Sequence, residues 1–174
     1  MNKLFWGLLL VYLDIHITFA DTVVIGLLPD FVGYMLIMQG CDSLLEQGPH
    51  FFRGKAVAFA MVIYSVIDYV MDLLNLSGAY SLFQILWGLA GLVGALAVSW
   101  QLFRGVQALE KTCGKDLQGE KLHGFWLVMA VFDVLAWLCA WIPVVNTVAA
   151  LAMLAVSICF IVLFYQAKKL WEQP

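Results

Sequence analysis

Residues 56–75 read AVAFAMVIYSVIDYVMDLLN, a run that holds two acids, Asp68 and Asp72, and no basic residue. At ~1.5 Å rise per residue, twenty helical residues cross ~30 Å, the thickness of a bilayer's hydrocarbon core. Arg53 and Lys55 stand just before this run, and the next basic residue is Arg104. Working outward, the same arrangement repeats along the chain. All nine Lys and Arg fall in four short segments: Lys3, Arg53–Lys55, Arg104–Lys121 and Lys168–Lys169. Long apolar stretches separate them.

Six apolar segments follow from this reading: Leu4–Ala20, Val23–Cys41, Ala56–Asn75, Tyr80–Phe103, Phe125–Ile142 and Val144–Tyr165. Their connections alternate in character. Those near residues 21, 77 and 143 are tiny and lack Lys or Arg, whereas 42–55, 104–124 and both ends of the chain hold every basic residue. Basic residues mark the cytoplasmic side of a membrane protein. The expected architecture is therefore all-α: a single domain over 1–174, six transmembrane helices as three hairpins, N- and C-termini cytoplasmic. The matching location is a bacterial cytoplasmic (inner) membrane, crossed in multiple passes.

Composition agrees. The chain is 64% hydrophobic and 12% charged, with a mean hydropathy of +0.93, whereas a soluble domain carries about 25% charged residues. The first partner implied is the lipid bilayer. A net charge of −3 without a basic stripe gives nothing for nucleic acid to bind. Lys3, the run Leu4–Leu13 and Thr18-Phe19-Ala20 have the outline of a cleavable signal peptide, but Asp14 and His16 interrupt it, so a retained membrane helix is expected. Cys41, Cys113, Cys139 and Cys159 show no Cys-x-x-Cys spacing and read as free thiols. Trp6, Trp87, Trp100, Trp126, Trp141 and Trp171 stand mostly near segment ends, as interfacial anchors do. Gly26, Gly33 and Gly40, and Gly88, Gly91 and Gly94, read as close-packing positions between helices.

The acids carry the functional reading. Asp14, Thr18 and Asp21 are spaced i, i+4, i+7, so they share one helical stripe; Asp68, Asp72 and Asn75 repeat that spacing, and Asp30 lines up with Tyr34. Measured from the outer segment ends, Asp14, Asp30 and Asp68 lie ~9–10 Å deep and Asp133 ~13 Å. An acid facing lipid there costs ~2.5–3.5 kcal/mol, so these stripes turn inward. His16 is off the Asp14 stripe, which weighs against its joining a divalent metal site. No other metal ligand set and no cofactor motif is apparent.

Pro29 removes a backbone N–H and clashes with the preceding turn, so the second segment is kinked or starts afresh there. Asp30 then sits at the first turn of a helix, where the free N–H groups favour its charge. The stretch Pro29-Asp30-Phe31-Val32-Gly33-Tyr34-Met35-Leu36-Ile37, with Phe5-Trp6-Gly7 and Asp14 before it, resembles a group of small integral membrane proteins of Firmicutes-type bacteria. The resemblance covers roughly the first 45 residues. It implies a bacterial membrane protein and brings no activity with it. In size and helix count alone the chain also resembles the substrate-binding subunits of vitamin importers, without their motifs.

The leading functional expectation is a transporter or solute-binding membrane subunit. Its outward-facing acidic cavity would take a cation, a proton or an amine-bearing solute through Asp14, Thr18, Asp30, Tyr34, Asp68, Asp72 and Asn75, with Asp133 as a deeper relay. Two other readings stay open. One is a non-catalytic interaction protein, knitted to a partner membrane protein or to its own copies. The other is a metal-dependent enzyme acting on lipid, suggested by the spacing Asp68-x-x-x-Asp72 but lacking the basic partners that phosphate chemistry needs. An enzyme is the less favoured class.

Overall fold

A computed structural model describes residues 1–12, 16–19, 23–26, 30–74, 82–139 and 142–172, with side chains except at 16–19, 23–26, 143, 144, 146 and 150. Six helices dominate: α1 Asn2–Tyr12, α2 Asp30–Asp42, α3 Pro49–Leu73, α4 Leu82–Cys113, α5 Gly119–Leu138 and α6 Pro143–Glu172. Between α1 and α2 lie two short antiparallel strands, β1 His16–Phe19 and β2 Val23–Gly26, paired from His16 with Gly26 to Phe19 with Val23. A 3-10 turn, Leu45–Gln47, leads into α3.

Four helices, α3 to α6, are long and apolar enough to cross a membrane. They lie where four of the six expected segments were placed, and α4 and α6 continue past the apolar stretch into polar, basic ends. The first two segments come out differently. Within Leu4–Ala20 the described helix is Asn2–Tyr12 and His16–Phe19 is extended; within Val23–Cys41, Val23–Gly26 is extended and the described helix is Asp30–Asp42. The cause is local. His16-Ile17-Thr18-Phe19 and Val23-Val24-Ile25 are rich in β-branched and aromatic side chains, which favour the extended backbone. Pro29 cannot continue a helix from its N-terminal side but is well placed just ahead of one. Helices of 11 and 13 residues reach only ~17–20 Å.

The helices close into a ring. Each packs on the next in sequence, and α6 returns to α1. Neighbours run antiparallel, as the contacting pairs show: a Cβ at Gly40 would meet Leu4 and one at Gly33 would meet Val11; Gly105 faces Phe51 while Gly91 faces Tyr64; Phe5 meets Tyr165 while Tyr12 meets Phe160. On α4 and α5 the pairs are Phe103 with His123, Ser99 with Trp126, and Gly88 with Trp137.

Burial is uneven along the ring. The tightest packing joins Leu4 and Leu8 of α1, Ile37 and Cys41 of α2, Phe51 and Ala58 of α3, Leu102 to Leu109 of α4, Leu122 of α5, and Phe160 and Phe164 of α6. All of these sit toward the end that carries the basic residues. At the other end Val66, Ile67, Val70, Leu73 and Leu74 of α3 and Leu82, Phe83 and Leu86 of α4 are exposed. Apolar side chains so widely uncovered need a lipid environment. Polar ties reinforce the basic end: Lys55 pairs with Asp42, Lys3 Nζ donates to Gln39 Oε1 (3.0 Å), and His50 Nδ1 lies 3.2 Å from Gln101 Oε1. The four cysteines are free thiols.

Candidate functional site

The interior of the ring holds a polar knot built from four helices' neighbourhoods. On α5, Leu122, Trp126, Met129 and Asp133 recur at i, i+4, i+7, i+11, so they form one stripe; Leu122, Met129 and Asp133 are buried. On α4, Ser99 is 1% exposed, and its Oγ is turned back to the carbonyls of Ala95 (3.0 Å) and Leu96 (3.1 Å). With its proton directed there, the oxygen's lone pairs face the bundle. Trp126 Nε1 donates to it at 3.0 Å, and the Tyr12 side chain comes near it from α1. This approach crosses the ring, because α1 and α4 stand opposite one another in the packing order. Tyr12 also meets Phe160 of α6 edge-on at 6.3 Å between ring centroids.

Asp133 lies two turns beyond Trp126 on the same stripe and is 8% exposed. Among the described residues no Lys, Arg or His pairs with it. Ser157 of α6, one turn before Phe160, is 2% exposed and its hydroxyl has no hydrogen-bond partner among the described residues. A buried hydroxyl left unpaired is costly and marks a place for a further polar group.

A second polar cluster ties α3 to α4. Trp87 Nε1 donates to Asp68 Oδ1 at 2.8 Å, and the Tyr64 hydroxyl donates to the Trp87 carbonyl at 3.0 Å. Tyr64 and Phe83 stack on the two sides of this contact, with centroids 4.6 and 5.7 Å from the indole. Asp72, one turn on, is exposed. Asp30 opens α2 and is half-buried; its neighbour Phe31 meets Tyr69 at 6.2 Å, which brings Asp30 level with Asp68 along the α2–α3 seam. Tyr34 is buried in the core. Asp30, Tyr34, Asp68 and Asp72 all have interaction partners within the protein.

Of the remaining expected site residues, Asp14 and Asn75 lie outside the described residues, and so do the side chains of Thr18 and His16. Among the described residues no group of three or more His, Cys, Asp or Glu side chains is placed to hold a metal ion. Clefts formed by described residues lie elsewhere: an apolar groove of about 600 Å3 between α3 and α4, a polar one of about 430 Å3 at Arg104 and His123, and an apolar one of about 500 Å3 between α1 and α6.

Tyr12, Ser99 and Trp126 were not among the expected site residues. Trp126 was read as an interfacial anchor, but it packs with Trp100 (4.7 Å) and Phe103 (5.5 Å) inside the α4–α5 seam. Ser99 did carry a signal: a hydroxyl in the middle of an otherwise apolar helix is either turned to its own carbonyls or shared with a neighbour, and here it is both.

Compared with known proteins, the chain matches no family model, no curated protein and no solved structure.

Proposed function

We propose that this chain is a multi-pass protein of a bacterial cytoplasmic membrane, acting as a transporter or as the solute-binding subunit of one, with a cation, a proton or an amine-bearing solute as cargo. The observation that carries the reading is Asp133: a buried carboxyl on the inward stripe of α5, two turns from the Trp126–Ser99 contact, with no basic partner among the described residues. An acid at such depth is rare unless it serves an ion or proton path. Two features support an opening toward the outer face. The tight core gathers at the basic end, which the positive-inside rule assigns to the cytoplasm. Asp30 and Asp68 lie level with one another toward the opposite end. In this reading the two strands between α1 and α2 complete the first outer hairpin, giving six membrane-inserted elements and both termini inside. Backbone that is not helical is tolerated at membrane depth where protein or a water-filled cavity covers it.

Reconstituted vesicles test the reading. Uptake of a labelled polyamine or monovalent cation, or a pH change reported by an internal dye, should appear with the wild-type protein and fall at least tenfold in Asp133→Asn. The double variant Asp30→Asn/Asp68→Asn should also lose binding while remaining folded. Unchanged uptake or binding in both would sink the proposal.

A second reading, assembly with another membrane protein, draws on the α3–α4 groove, whose floor is lined by Ala60, Ala90, Gly94 and Ala97. Small residues let membrane helices approach closely. For that reading, Ala90→Leu should abolish co-purification of a partner and leave vesicle transport absent in both proteins.

A further inference from the structure

The α1–α6 seam combines an apolar cleft with a positive charge at one end. Phe5, Leu9, Ile158, Ile161, Val162 and Tyr165 line about 500 Å3 of space with hardly any polar surface. Ile158 and Val162 are exposed on the flank of the bundle, where lipid tails run. At the basic end, Phe5 and Tyr165 meet at 5.2 Å. The Lys168 ammonium stands over both rings, 5.5 Å from the Phe5 centroid and 5.4 Å from that of Tyr165. Among the described residues Lys168 forms no ion pair; Glu172 follows one turn on along α6, and the Met1 amino group lies near both charges. Ring faces hold an ammonium in place without neutralising it. Trp6 packs edge-on against Phe5 at 5.6 Å and is 54% exposed, completing an aromatic rim at the level where headgroups begin.

We infer that this seam is a binding site for one anionic membrane phospholipid of the leaflet facing the basic end. An acyl chain lies along the cleft from Tyr165 toward Ile158, and the headgroup phosphate sits against the Lys168 ammonium. The geometry matches the chemistry of the occupant: a cation held over ring faces without an ion pair among the described residues, a groove below it that only hydrocarbon can fill, and an aromatic collar between the two. Basic pockets between membrane helices on the cytoplasmic side select anionic headgroups in this way. Lys3 is less suited to the role, because its ammonium already donates to Gln39, and Lys169 is exposed in the final turns without an aromatic contact. The site goes beyond the transport reading and stands or falls without it.

The test uses the full chain in detergent, incubated with equal amounts of phosphatidylglycerol and phosphatidylcholine of identical acyl chains, with retained lipid counted by native mass spectrometry. The wild-type protein should keep one phosphatidylglycerol in preference. Lys168→Gln should lower that preference about fivefold, the loss expected for one interfacial basic residue, and Lys168→Arg should restore it. Lys169→Gln should leave it unchanged. Ile158→Trp, at an exposed position that tolerates bulk, should displace both lipids by filling the groove. Equal retention of the two lipids by the wild type would overturn the inference. So would a preference untouched by Lys168→Gln, or displacement by free glycerol phosphate, which has a headgroup but no chain.

Discussion

Ser99 shows how much one side chain decides at the residue scale. In a helix whose neighbours are Val98 and Leu102, a hydroxyl would be expected to satisfy itself on its own backbone, and it does. One of its spare lone pairs then accepts the indole N–H of Trp126, joining α4 and α5 at one atom. Ser99→Ala leaves that donor unpaired. Hydrogen bonds between membrane helices average ~0.6 kcal/mol and reach ~1.7, so this buried one should cost up to about 1.7 kcal/mol. Thermal unfolding in detergent should show it, with Ser99→Cys intermediate; an unchanged midpoint would mean the knot is idle. Trp87→Phe keeps the stack on Tyr64 but removes the indole donor to Asp68. Its expected cost is smaller, about 0.6 kcal/mol.

At the scale of elements, the short helices are held by close approach. A Cβ on Gly33 would come within 2.7 Å of Val11 Cγ2 and 3.0 Å of the Gly7 carbonyl oxygen, and one on Gly7 within 2.7 Å of the Gly33 carbonyl oxygen. The two backbones therefore touch, and glycine is required on both sides. Gly33→Leu overpacks this seam and should cost about 1–3 kcal/mol or more, read as loss of monodisperse protein on size-exclusion chromatography. Gly124, whose Cβ would meet nothing within 4 Å, should accept Ala at no cost. Had α1 and α2 been continuous helices, the glycine spacing of residues 26, 33 and 40 would have formed one seam. The structure uses only Gly33 and Gly40 in a helix, because the extended backbone takes over at Gly26.

For the whole molecule, two asymmetries coincide. Charge places every Lys and Arg at one end of the ring, and packing places most of the buried core at the same end. The proposed topology turns this into an expectation about access. Cys113 is exposed just after the basic run of α4, so a membrane-impermeant maleimide should leave it unlabelled in intact cells and label it once the membrane is opened. A cysteine placed at Ser77 in a background without the native ones should behave the opposite way. Labelling of both from outside would overturn the assignment of sides. The ion pair of Lys55 with Asp42 is exposed at that end, so breaking it with Lys55→Gln should change stability by less than about 1 kcal/mol.

The sequence alone determined that this is a helical protein suited to a bilayer, where its four long helices run, and which end carries the positive charge. Apolar length and the placement of Lys and Arg are properties of the chain itself, and transfer from water to lipid reads them directly. It named Asp133 as a deeper acid behind Asp14, Asp30, Asp68 and Asp72. Only the tertiary structure decided that Leu4–Ala20 and Val23–Cys41 each divide into helix and strand, since β-propensity and helix propensity compete there and neighbours settle the outcome. Only it decided that Tyr12, Ser99 and Trp126 meet, that Asp68 answers to Trp87, and that Lys168 stands over Phe5. Each of those contacts joins residues 19 or more positions apart on different helices, and which faces oppose is fixed by the crossing and closure of the ring rather than by any spacing along one helix.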